Sequence, residues 1–401
     1  MTIRRYIKGD RIIWAVVLIL LIISLLSVYS STGSLAYQYR SGNTFFYLFR
    51  QLKFILLGLV IIFFVHLVPY QVFSRVSVMA FYIAVPLLLV TMFAGTSINE
   101  ATRWLQIPGT GLTIQPSDFA KVALIMYVAR ILAANQNNIK DFKGVFLKIA
   151  LAVILTCALI LPANLSTSLI VFITLFALMF VGRIPVLYLL SLIMTGALIL
   201  SVFILISFAV GKEGRIHTWK SRIETYMEGG GDNYQSDQAK VAIVQGGFFG
   251  KGPGKSTQRN LLPHPYSDFV FAIIIEEYGS IFGGITILAL YLWLFFRTGL
   301  IVRRSKSTYA AFLAFGLSTG LVIQAFVNMA VAVGVLPVTG QTLPLVSMGG
   351  SSILFTSLSV GMILSVSWGS KDDEQNAEAD KGKNEEETGE ENSDEKEPEA
   401  S

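Results

Sequence analysis

Three short stretches of this 401-residue chain hold polar and charged side chains inside otherwise apolar surroundings, where each needs a reason to be there. In residues 99–121, Arg103 stands beside Trp104, and Gln115-Pro116-Ser117-Asp118 follow with Lys121 one turn on. Proline with capping-type side chains reads as a helix start. A helix N-terminus with a lysine beside it is a seat for phosphate. The bland alternative makes Arg103 and Trp104 interfacial anchors and Lys121 a snorkelling lysine.

In residues 262–279, Asp268 would sit at the lip of a helix between Ser267 and Phe269, with Phe271 beyond. Partial desolvation there makes a carboxylate a better proton acceptor near neutral pH, although Ser267 and Asp268 are also ordinary helix caps. Glu276 and Glu277 are expected two to three turns deeper, in an internal polar network with a cation, a polar backbone end or water. In residues 328–355, Pro337, Pro344, Gly334, Gly340, Gly349 and Gly350 interrupt a helix, and Ser347, Ser351 and Ser352 add hydroxyls. Irregular backbone at membrane depth persists only against protein or a watery cavity. Broken helices of this kind mark substrate sites in transporters, so the residues alone point first to a transporter or flippase.

The elements that would position these residues are membrane spans. The chain is 53% hydrophobic and 14% charged, against about 25% charged in soluble domains. Stretches able to cross about 30 Å of hydrocarbon fall near 12–31, 50–69, 76–95, 118–134, 145–163, 165–182, 184–210, 269–297, 308–334 and 346–368. The fold class expected is all-α and polytopic, with about ten spans in residues 1–370. The first stretch lacks a small-residue cleavage site and reads as a retained signal anchor. With a cytoplasmic N-terminus, the inside loops collect Arg4, Arg5, Lys8, Arg11, Arg75, Arg130, Lys140, Lys143, Lys148, Arg183, Arg303, Arg304 and Lys306, as the positive-inside rule asks. Ten spans return the C-terminus to the same side.

Residues 371–401 hold 14 acidic and 4 basic residues, a net of −10 that leaves +15 on the rest of a chain whose total is +5. That tail has no aromatics and reads as a disordered acidic cytoplasmic segment. A basic body beside an anionic membrane is ordinary, and no basic stripe interleaved with aromatics suggests nucleic acid. The single cysteine, Cys157, excludes an internal disulfide and a thiolate metal cage. Residues 211–268 form an outside loop too long for a connector, with eight basic and six acidic residues. Its GGFFGKGPGKS stretch lacks the spacing and preceding strand of a phosphate loop, so no nucleotide site is expected.

Taken in order, the three stretches resemble the SEDS family of bacterial wall proteins (shape, elongation, division and sporulation). The family pattern RW…QPS…K falls on residues 103–121, its DFxFA…EExG on residues 268–279, and its GxLPxTGxxLPxxSxGGSS on residues 334–352, which includes Thr339. Gln341-Thr342-Leu343-Pro344 and the charged tail are closer to the division branch than to the elongation branch. The chain departs from the family at Thr113, Asp118 and Met348, and at Asn164, where an acid is usual.

The resemblance implies a peptidoglycan glycosyltransferase that polymerises lipid II into β-1,4-linked strands at the outer face of the bacterial cytoplasmic membrane, at the division septum. Asp268 would be the base for the acceptor hydroxyl. Arg103 and Lys121 would receive the pyrophosphate, with a divalent cation, Mg2+ or Mn2+, a further option and its ligands unknown. Trp104, Gln115, Ser117, Glu276, Glu277, Thr339, Ser347, Gly349, Gly350, Ser351 and Ser352 would line the substrate site. A class B penicillin-binding transpeptidase and other division proteins are the implied partners, with membrane lipid around the spans and no nucleic acid. A lipid II flippase, an elongation-branch polymerase and a non-catalytic scaffold stand as rivals.

Overall fold

The computed structural model describes residues 8–33, 35, 43–98, 101–106, 113–210, 234–262 and 265–369. The acidic tail, residues 211–233 of the long loop, and His264 lie outside the described residues. All ten apolar stretches form helix. They are α1 (Arg11–Ser31), α2 (Thr44–Leu67), α3 (Tyr70–Ala94), α4 (Pro116–Ala134), α5 (Leu147–Ile160, entered through a wide turn at Phe142–Phe146), α6 (Leu165–Val181) and α7 (Val186–Val210). A short helix, α8 (Tyr234–Gly246), precedes α9 (Val270–Gly279), α10 (Thr286–Arg304, entered through Ser280–Ile285), α11 (Thr308–Ala332) and α12 (Ser351–Gly369).

Among the described residues, eight helical segments are long and apolar enough to cross a membrane. The other two expected spans are α4, charged at Asp118, Lys121 and Arg130, and α6, which has 17 residues. Leu187, Met194 and Phe93 are among many large apolar side chains left exposed, as a lipid-bathed bundle requires. At the centre, α11 packs on α4 and α6. A methyl at Gly316 would come within 2.7 Å of Ile125, and Gly320 faces Thr174 and Ile125. Small residues four apart let such helices approach closely.

At one end of the bundle, which carries Arg75, Arg130, Arg303 and Arg304, the N-terminus is tied down. Asp10 caps α1 through the amides of Ile12 and Ile13 and pairs with Arg297 of α10. Lys8 lies 3.6 Å over the ring of Trp368 in the last turn of α12.

At the other end the structure departs from the sequence reading in two ways. The connection after α3 is not plain loop but a small antiparallel sheet, β1 (Thr96–Ile98), β2 (Ala101–Gln106) and β3 (Thr113–Ile114), in that order. The second departure concerns the eighth span. Residues 270–304 are not one rod, because Gly279 has φ +80° and ψ 171°. The chain folds back there. A methyl at Gly283 would lie 2.8 Å from the Ile274 carbonyl, and one at Gly284 would lie 3.2 Å from Ile275. Only residues 280–304 therefore cross as a single segment, and α9 is a half-helix antiparallel to its start.

Candidate active site

The fold-back decides where the acids go. Gly279 is the apex of the hairpin, and Glu277 beside it bonds Ser30 in the last turn of α1. From that apex α9 descends into the bundle, about 1.5 Å per residue, and Asp268 lies at its lower end. The expectation that Glu276 and Glu277 lie deeper than Asp268 is thus overturned: they are the outer pair. Glu276 binds Lys251 at 2.8 Å, the hydroxyls of Ser256 and Thr257, and the amides of Thr257 and Gln258. Glu277 also accepts from the Ser256 amide. The network expected around both acids exists. Its partners come from residues 251–258 and from Ser30, and the pair lies apart from the Asp268 cluster with which the substrate-lining set had grouped it.

Asp268 is half-buried, with the Ser267 hydroxyl 2.9 Å from one carboxylate oxygen. The other faces the turn at Gly340, where an added methyl would be 3.7 Å from it and 3.8 Å from an Arg103 guanidinium nitrogen. Two segments 165 residues apart in sequence therefore bring a carboxylate and a guanidinium to one glycine. Gly340 has φ +66°, a left-handed conformation that glycine adopts without strain. The strand β2 carries both Arg103 and Trp104, each half-buried, and Trp104 pairs in register with Thr96.

The backbone around Asp268 is held from α11 and from the irregular segment 333–350. Asn328 donates to the carbonyls of Asp268 (2.9 Å) and Gln341 (2.7 Å). Ser347 donates to the Ser267 carbonyl at 2.6 Å and accepts from the Leu343 amide at 2.8 Å. The Met348 amide reaches the Tyr266 carbonyl at 2.9 Å. Ser347 is thus buried and used to hold backbone rather than to face a cavity.

Two helix starts meet beside this turn. The amide of Gln115, which precedes α4, reaches the hydroxyl of Ser351, which opens α12, at 3.3 Å. The Gln115 side chain donates to Ser117 at 3.0 Å. Gly349 and Gly350 lead into α12, and Ser352 touches Thr342 at 3.2 Å. Both N-termini turn positive dipole ends toward one place. Lys121 is buried one turn inside α4, donating to Gln324 at 2.7 Å with Asp118 3.8 Å away. Gln324 in turn donates to the Thr342 carbonyl at 3.0 Å. A cavity of about 60 Å3 opens beside Arg103 and Ser117, walled by Leu88, Thr91 and Ile160 and by Asn164. Thr339 is half-buried in the turn just before Gly340.

The sequence reading missed the amides. Gln324 and Asn328 are four apart on one face of an apolar helix, and such intramembrane polar residues are a signal in themselves. Asn164 was given no role, yet it caps α6 through the Thr167 amide and accepts from Gln341 at 3.4 Å. Among the described residues no group of three or more His, Cys, Asp or Glu side chains could form a cation cage.

Residues 10–372 match the family described as cell cycle protein, which takes in FtsW, RodA and SpoVE. Stage V sporulation protein E of Bacillus subtilis is 33% identical over 363 residues, covering 89% of this chain and 96% of its own. The probable peptidoglycan glycosyltransferase FtsW of Coxiella burnetii is 32% identical over 366 residues, covering 88% and 95%. Among solved structures, the rod shape determining protein RodA of Thermus thermophilus shares the fold with a TM-score of 0.65 at 23% identity, covering 90% of this chain and 97% of that one. A chain of a peptidoglycan synthase complex that coordinates polymerization and crosslinking aligns with a TM-score of 0.67 at 24% identity, covering 90% and 98%. A polytopic helical bundle, the ordered motifs and these relatives agree, and the chain belongs to the cell cycle protein family of FtsW, RodA and SpoVE, the SEDS family that its motifs resemble.

Proposed function

We propose that this chain is a peptidoglycan glycosyltransferase that polymerises lipid II into β-1,4-linked glycan. The carrying observation is the meeting of Asp268 and Arg103 at the Gly340 turn, beside the paired N-termini of α4 and α12. Relatives named peptidoglycan glycosyltransferase support the reading. Asp268 takes the proton from the acceptor 4-hydroxyl as that oxygen attacks the anomeric carbon from the face opposite the leaving group. The carbon–pyrophosphate bond breaks, its electron pair leaves on the undecaprenyl pyrophosphate, and configuration inverts. Arg103, the two helix starts and Lys121 behind them supply positive potential where that negative charge develops. Trp104, Ser117 and Thr339 line the approach.

Magnesium is commonly held by one or two carboxylates together with substrate phosphates. Asp268 and the pyrophosphate fit that pattern for Mg2+ or Mn2+, which would add charge at the leaving group. A chelator added to the polymerisation assay tests this: loss of activity restored by Mg2+ or Mn2+ supports it, and full activity in chelator removes it.

In this reading the basic end and both termini are cytoplasmic, as the positive-inside rule asks, and the Gly340 end faces outward at the cytoplasmic membrane. The division septum is the expected place of work, beside a class B penicillin-binding transpeptidase that cross-links the strands. An elongation role differs only in where the protein localises. The broken segment 333–350 also suits a lipid II flippase. Lipid II incubated with purified protein and its transpeptidase partner separates the two, since a flippase makes no polymer. Polymer from wild type and none from Asp268→Asn is the expected result.

A further inference from the structure

The Gly279 hairpin carries a feature the proposed chemistry does not use. Residues 247–252 wrap over its apex with their backbone locked. The Lys251 and Gly252 amides reach the carbonyls of Glu276 and Glu277, both at 2.9 Å, and the Ser280 and Ile281 amides reach those of Gly247 and Phe248 at 2.9 and 3.3 Å. Glycines make this possible. A methyl at Gly246, Gly250 or Gly279 would lie 2.2 Å from a backbone oxygen of the opposing segment. Below the turn, the Glu276 network adds Lys251, Ser256 and Thr257.

This rigid platform presents two phenylalanines outward. Phe248 is 71% and Phe249 73% exposed, next to Val244 at 78%. Disorder does not explain them, because the backbone beneath is fixed. Phe249 lies 6.3 Å, ring to ring, from Phe282 in the first turn of the descending span, itself 64% exposed. Below Phe282, the exposed side chains of Ile285, Leu288, Leu292 and Phe296 run down the same helix. The pair therefore extends a lipid-facing stripe at the height where the span leaves the hydrocarbon. On the same turn Lys255 is exposed toward solvent, which completes the interfacial pattern of aromatics toward acyl chains and a cation toward phosphates.

We infer that Phe248 and Phe249 form a wedge inserted into the membrane leaflet at the Gly279 end, with Lys255 at its phosphates. The wedge fixes the height of the hairpin, and with it that of Asp268 at the foot of α9. The occupant is lipid, and the inference stands whether or not the proposed polymerase reading does.

The test uses the full chain with Cys157→Ala, reconstituted in phosphatidylglycerol–phosphatidylethanolamine nanodiscs. An environment-sensitive fluorophore is attached at Phe248→Cys, at Phe249→Cys and, as a water-exposed control, at Asn137→Cys in the polar loop after α4. A nitroxide near the top of the lipid acyl chain should remove most of the emission at both phenylalanine positions. Aqueous iodide should quench them several-fold less than the control. Iodide quenching equal to the control at both positions overturns the inference. Protection from both quenchers also overturns it, because a protein surface rather than lipid then covers the pair. Two labelling sites guard against one variant misfolding, and unchanged thermal stability of each labelled protein is checked alongside.

Discussion

The two ends of α9 hold carboxylates in opposite circumstances. At the apex, Glu276 is buried among a lysine, two hydroxyls and two backbone amides that pin residues 251–258 to the hairpin. Eight residues earlier, Asp268 is half-buried. Its backbone rather than its carboxylate takes the clamp from Asn328, and one carboxylate oxygen faces the Gly340 turn beside Arg103. Burial alone would rank the glutamates as the more unusual acids. What separates them is how their oxygens are used: a saturated acid holds structure, whereas an acid aimed at a turn beside a cation can move a proton. The difference is one of partners, not of depth.

That contrast breaks if Asp268→Asn is harmless. The amide keeps the shape and removes the base, so polymerisation by purified protein should fall by about 10²–10⁴-fold with an unchanged melting temperature. Glu276→Gln should do the reverse. Lys251 loses its counter-charge and two hydroxyls lose a charged acceptor, costing about 3 kcal/mol. The readout is a lower melting temperature and protease cleavage near residues 247–262, with activity per folded molecule close to wild type. Inactivity at a wild-type melting temperature would instead assign Glu276 to the chemistry.

Lys121 stands between these extremes, buried yet one turn from the paired helix starts. Lys121→Met should lower polymerisation by roughly 10–100-fold and also reduce stability, since Asp118 loses its cation. Lys121→Arg should recover little, because a planar fork does not replace a point donor to Gln324. The smallest effect expected is from Asn328→Ala, which frees the Asp268 and Gln341 backbones to drift. A loss of about tenfold in kcat with KM nearly unchanged marks a positioning role, and an equal loss in Glu276→Gln and Asn328→Ala would erase the distinction between the two clusters.

Much of this was legible in the residues. Lipid demands about twenty apolar residues per crossing, so all ten stretches could be located from composition and run length. Arg103, Asp268 and the Gly340 turn could be grouped because their motifs recur in one order. Asn328, Gln324, Gln341 and Asn164 went unread, since an amide carries no charge and its role depends on which carbonyl lies opposite. Glu276 and Glu277 were recognised as needing a polar network, but its suppliers, residues 251–258 and Ser30, could not be read from the sequence. The small sheet of residues 96–114 was also missed, because its strands of two to six residues are too short for a period to show.

The order of acids along α9 shows where sequence reasoning stops. Hydropathy treats residues 269–297 as one span, and along one span Glu276 must be deeper than Asp268. A single left-handed glycine reverses that order, and nothing in the local pattern separates a glycine that folds the chain back from one that merely packs closely. Sequence by itself determined the solvent, the spans and the chemical types available, because each follows from the cost of placing a given side chain in lipid. Tertiary structure alone decided which acid is held among residues 251–258 and which meets Arg103 at the Gly340 turn, because that meeting joins segments 165 residues apart in sequence.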